Sequence, residues 1–143
     1  MITFPFTTKL GVLSIRNSLG ELSVAANSAT QFLQSMNVSR GVIFAANLAI
    51  EEIITNTIKY GYDDELAHEI VLRLNLSESV LRIEISDDGR EFNPFDQPEP
   101  ALVPSPEGPS IGGLGIHFVR KMLDSCAYCR RGGRNIIKLS KRR

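Results

Sequence analysis

Cysteine is scarce in this chain: its 143 residues hold two, Cys126 and Cys129, spaced C-x-x-C within SCAYCRRGGRNIIKLS. No second ligand pair exists to complete a zinc site, and on a strand two positions three apart point to opposite faces. The pair therefore reads as ordinary strand residues and not as a metal or redox motif. Net charge is also lacking, with 16 Lys+Arg against 16 Asp+Glu. Without a global field to draw it to nucleic acid or an anionic membrane, the protein must recognise its partners locally. No run approaches the ~18 consecutive apolar residues of a membrane span, and MITFPFTTKL lacks a basic stretch followed by a long apolar segment. The expectation is a cytoplasmic protein that binds neither nucleic acid nor membrane. Histidine is limited to His68 and His117. Both are isolated and read as ordinary strand or helix residues, which argues against a phospho-accepting histidine domain.

What is present suits one domain over residues 1–143, long enough for one hydrophobic core. Leu10 to Arg16 alternate as a strand. Apolar residues from Leu22 to Met36 recur at intervals of three and four, as in an amphipathic helix that Asn37 ends. A second helix spans about Ser39 to Tyr60, with Ser39 as N-cap and Gly61 as terminator. HEIVLRLNL and VLRIEISDD form a hairpin around Ser77–Ser79. Six of the seven prolines fall between Glu91 and Ser110, a density that excludes helix and central strand and predicts a long functional loop. IHFVRKMLD follows as a short helix. CAYCR and NIIKLS close the chain as a hairpin, with the glycines of RGGR supplying positive φ at the turn. The order β-α-α-β-β-loop-α-β-β predicts an α/β sandwich: a mixed, mainly antiparallel sheet with helices packed on one face.

Three segments require a joint explanation. On a helix Glu52, Asn56 and Lys59 share one stripe, so a carboxylate, an amide oxygen and an ammonium face one point. Such a set suits a magnesium-nucleotide. Taken by itself, it reads more readily as an exposed polar face with i,i+4 support. In SDDGREF an acid at a strand end precedes Gly89, which permits close backbone approach. In GGLG, Gly113, Leu114 and Gly115 open a helix whose N–H groups and dipole can meet phosphate. Alone, that segment is equally a loop that lets helix and strand pack closely.

The order and spacing of NLAIEEIITNTIKYGY, DDGREF and GGLGIHFVRKMLD resemble the histidine-kinase-like (GHKL) ATPase superfamily, and within it the bacterial anti-sigma factor serine kinases. The resemblance covers nearly the whole chain and implies a Bergerat-type ATPase fold that uses ATP and Mg²⁺. It implies that Asn56 ligates Mg²⁺, that Glu52 is the general base, and that Asp87 accepts a hydrogen bond from the adenine amino group. Gly89 would line the base pocket, Lys59 lie near phosphate, Tyr60 lie against adenine, and Gly113, Leu114 and Gly115 cradle phosphates; residues 93–111 would be the ATP lid. It further implies a protein-serine/threonine kinase that phosphorylates a STAS-type anti-anti-sigma protein, sequesters a sigma factor and works as a homodimer. A nucleotide-dependent binding module without phosphotransfer is the alternative.

The pattern departs from the family in two places. Glu91 stands where the first glycine box often has a second glycine, which predicts an altered backbone there. The lid from Asn93 to Ile111 contains no Lys or Arg, while Asp96, Glu99 and Glu107 add negative charge. Stabilisation of the γ-phosphate would then fall to Lys59 or to a partner's arginine.

Overall fold

The structure, a computed structural model, describes residues 9–96 and 114–143. The expectations for Gly113 and for lid residues such as Glu99 and Glu107 lie outside these residues. Along the chain come β1 (Lys9–Arg16), α1 (Leu19–Ser35), α2 (Arg40–Tyr60), β2 (Glu69–Leu76), β3 (Val80–Asp87), a 3₁₀ turn (Pro94–Asp96), α3 (Leu114–Met122), β4 (Ser125–Arg131) and β5 (Arg134–Arg142). The proline-rich stretch thus begins with one helical turn, which Pro94 can enter as first residue because no N–H is needed there.

Local chemistry sets the element ends. Ser18 caps α1 by accepting from Glu21 N, and Asn37, the one non-glycine residue with positive φ among those described, ends it at φ 58°. The bonds Asn37 N to Gln34 O and Val38 N to Leu33 O close that last turn as a left-handed C-terminal cap does. Ser39 then caps α2 at Val42 N. Gly61 ends α2 at φ −80°, so its lack of a side chain serves a contact: a Cβ there would lie 2.5 Å from Thr57 O. Positive φ is used at Gly132 and Gly133, in the β4–β5 turn where it was predicted.

The strands pair in the order β1-β2-β3-β5-β4, and all four described pairings are antiparallel. The mainly antiparallel sheet expected is therefore wholly so among the described residues, because the chain returns through α3 to hairpin partners without a parallel crossover. Inner-face positions alternate along β2 and β3, with Ile70, Leu72, Leu81 and Ile83 buried. Against them pack Leu33 of α1, Ile50, Ile53 and Ile54 of α2, and Val119 of α3. Ala45, Ala46 and Ala49 are fully buried, and their small side chains let α2 sit centrally against both α1 and the sheet. By length and composition alone α2 could cross a membrane, but Val42, Ile50, Ile53 and Ile54 are spent in this core.

Candidate nucleotide site

The inner-face alternation of β3 and β5 ends in polar residues. Asp87 and Asn135 face each other in register and are 3% and 4% exposed, the two buried polar residues among those described. A buried carboxylate is tolerated only where hydrogen bonds replace water. Asp87 Oδ1 accepts from Gly89 N at 2.8 Å and from Asn135 Nδ2 at 3.0 Å. Asn135 Nδ2 also donates to Arg90 O at 2.7 Å, while its Oδ1 accepts from Tyr128 OH at 2.6 Å and from Arg130 at 3.0 Å. Arg130 in turn donates to Gly89 O at 2.7 Å. One asparagine therefore fixes the carboxylate and the loop that follows it. Asp87 Oδ2 faces only the Thr57 hydroxyl, at a long 3.5 Å, and that hydroxyl already donates to Ile53 O at 3.0 Å. The second carboxylate oxygen thus keeps acceptor capacity for a ligand.

Asp87 belongs to a recess lined by α2 through Ile53, Asn56 and Thr57, by Asn135, and by Arg90, Phe92 and Pro94. Gly61 forms part of the wall, and Arg90 N donates to its carbonyl at 2.8 Å. A Cβ on Gly89 would lie 2.7 Å from Gly61 O and 2.9 Å from Asp87 Oδ1. Gly89 is thus required by close approach, as its motif suggested. Glu91 shows no positive φ, so an L-residue fits an ordinary conformation there and glycine is not needed.

The predicted residues divide into those brought together and those left apart. Asn56 and Asp87 line the recess. Glu52, one turn earlier on α2, lies against Gly115 of α3, where any Cβ would collide with its carboxylate. The N box and second glycine box thus meet at the beginning of α3, where free N–H groups and the helix dipole favour negative charge. Leu114 starts that helix. Lys59 and Tyr60 are outside the recess lining, on the exposed last turn of α2, and Tyr60 is 60% exposed. The structure does not place Tyr60 in the lining of the recess. Tyr62, two residues on, is the aromatic beside the acids: burial first, then the Asp87 and Asp88 charges, push its hydroxyl pKa upward.

Motif reading missed Asn135, Thr57 and Arg130. Asn135 carried a signal, since it is in phase with buried Ile137 and Leu139 on a core-facing stripe where a polar residue needs a reason. Thr57 and Arg130 carried none, because their partners come from other segments.

Comparison with known proteins agrees with this fold. Residues 15–141 match the family described as histidine kinase-like ATPase domain. Serine-protein kinase RsbW of Bacillus velezensis is 29% identical over 82 residues, covering 54% of this chain and 51% of that protein. Its Listeria monocytogenes counterpart is 28% identical over 116 residues, 75% of this chain and 68% of that one. The anti-sigma F factor of Oceanobacillus iheyensis is 24% identical over 114 residues, covering 76% and 78%. Among solved structures, the RsbU and RsbW domains of Rv1364c from Mycobacterium tuberculosis superpose with TM-score 0.69 at 13% identity, over 94% of this chain and 32% of that one. The chain thus spans about half of the Bacillus relative and a third of the Mycobacterium chain, which at this identity speaks for the fold alone. With the family matched over β2 to β5 and all three helices, around a recess closed by Asp87 and Asn135, this chain belongs to the histidine kinase-like ATPase domain family.

Proposed function

We propose that this chain is an ATP-dependent serine/threonine-protein kinase acting as a cytoplasmic anti-sigma factor, which phosphorylates a STAS-type anti-anti-sigma protein and sequesters a sigma factor to regulate transcription. The observation that carries the reading is what α2 touches on consecutive turns: Glu52 lies against Gly115 at the start of α3, and Asn56, one turn on, lines the Asp87 recess. Asp87 Oδ2 accepts from the adenine amino group, and Gly89 lets the ring approach. Leu114 and Gly115, with Gly113 before them, present backbone N–H groups to the phosphates. The acceptor hydroxyl attacks the γ-phosphorus as the bond to the ADP oxygen breaks, and Glu52 takes the hydroxyl proton.

The donor set suits Mg²⁺. Among the described residues no group of three His, Cys, Asp or Glu could form an all-protein cage, whereas Mg²⁺ ordinarily rides on substrate phosphates with one or two protein oxygens. The Asn56 amide oxygen, at the recess wall, is the proposed ligand. When bound, the ion neutralises charge on the transferring phosphoryl group.

Incubation with Mg-ATP and a cognate STAS protein should label that protein, and Glu52→Ala should abolish the label while retaining nucleotide. Unchanged labelling in Glu52→Ala removes the base assignment. Lys59 lies outside the recess lining and the lid sequence lacks cations, which favours as second reading a nucleotide-dependent binding module. Capture of the STAS protein or sigma factor with ATP, without phosphotransfer and undisturbed by Glu52→Ala, would support it. A homodimer is proposed from the same resemblance and from Leu10 and Val12, 60% and 53% exposed on edge strand β1. Light scattering at twice the chain mass would support it.

A further inference from the structure

His68, isolated in the sequence, is at the centre of a polar cluster. Its main chain is fixed to the end of β1: Asn17 N donates to His68 O at 3.0 Å, and His68 N donates to Asn17 Oδ1 at 2.8 Å. Its ring then reaches two carboxylates from different segments. Nε2 lies 2.7 Å from Asp64 Oδ1, in the connection after α2, and Nδ1 lies 3.2 Å from Asp88 Oδ2, directly after Asp87. The Tyr62 ring stacks on it at 4.2 Å and 16°.

These contacts matter because of where their owners sit. Asp88 lies between Asp87, which lines the recess, and Gly89. Tyr62 follows Gly61, whose carbonyl accepts from Arg90 N across the recess wall. The imidazole therefore joins both walls, the Gly61–Asp64 segment and the Asp87–Arg90 segment, to one post anchored on β1. We infer that His68 is a positioning residue for the nucleotide base, holding Asp88 and the Tyr62–Asp64 segment so that Asp87 and Gly89 keep the recess open to adenine. This rests on the proposed nucleotide reading of the recess.

Only the imidazolium can donate from both ring nitrogens. Hydrogen bonds to Asp64 and then Asp88 raise the His68 pKa. Asp64 is lowered chiefly by its bond from His68. Burial works against Asp88, but the His68 bond and charge outweigh it and lower that group too. The other ionisable groups near the ring are Tyr62 and, around the neighbouring recess, Arg16, Glu21 and Glu69. As pH rises through the folded pKa of His68, one nitrogen loses its proton and one carboxylate is left facing a lone pair. The clamp then loosens.

The test is ADP affinity with Mg²⁺, by calorimetry on the whole chain from about pH 6 to pH 9, with His68 titrated by NMR in free and ADP-bound protein. Wild-type affinity should fall with rising pH, ADP should raise the His68 pKa by linkage, and His68→Ala should bind about fivefold more weakly at the acid end with a flatter pH slope. A merely structural histidine would lower Tm without changing that slope. Asp64→Asn keeps the ring in place, removes one charged partner, and should shift the slope to lower pH even if His68→Ala folds poorly. If wild type and His68→Ala share affinity and slope, while Asp87→Ala loses ADP, the inference falls and the nucleotide reading stands. If wild type itself fails to bind ADP, both fall.

Discussion

Asn135→Ala is the sharpest perturbation of the site, because this side chain holds the recess together without being an expected ligand contact. Truncation removes its bonds to Asp87 Oδ1 and Arg90 O and frees Tyr128, Arg130 and Phe92 N, which also use its Oδ1. Tyr128 and Arg130 lie near the surface, where water replaces what is lost. The Asp87 side is different: a 3% exposed carboxylate keeps one strong donor on Oδ1, Gly89 N. A hydrogen bond to a charged group is worth about 1.5–3 kcal/mol and a neutral one about 1, so the expected loss is about 3 kcal/mol. Against a total stability of roughly 5–15 kcal/mol this is substantial, and it should lower Tm by roughly 10 °C. Urea unfolding of wild type, Asn135→Ala, Asp87→Asn and the double variant measures it, with a coupling of about 1 kcal/mol or more between the two positions. A loss below about 1 kcal/mol, or no coupling, would refute the claim that Asn135 supports the buried carboxylate.

Gly89→Ala should cost about 1–3 kcal/mol and abolish measurable ADP binding, because the new Cβ meets a backbone carbonyl and a fixed carboxylate; calorimetry with wild-type affinity would count against the close approach. Gly115→Ala should separate stability from activity. Its Cβ meets the flexible end of Glu52, which can swing away, while alanine favours the helix by up to about 1 kcal/mol. Thermal stability should hold or rise as phosphotransfer falls, and a variant with full transfer would break the link between that contact and catalysis. Because the His68 pKa is raised on folding, its contribution to stability is complete below the unfolded value and is lost as pH rises through the folded one. Urea titrations of wild type should show a loss across that window that His68→Ala lacks.

Local regularities in the chain were enough to determine its elements and the position of its motifs. Ser39 starts α2, Asn37 ends α1, and Gly132 and Gly133 turn the last hairpin, because caps and positive-φ turns are written in neighbouring residues. The same holds for the Glu52–Asn56 stripe, since helix periodicity alone puts both on one face. Tertiary structure decided what those motifs touch. Asn135 reaches Asp87 from 48 residues away, and His68 reaches Asp88 from 20. Tyr60 is left exposed and Tyr62 brought beside the acids. The glycine requirement at Gly61 and Gly89 arises from close approach to a neighbouring backbone, while Glu91 needs no special φ at all. These facts depend on strand register and on how closely α2 lies against the end of β3. Periodicity records which face a residue occupies, but not which distant residue folding brings to that face.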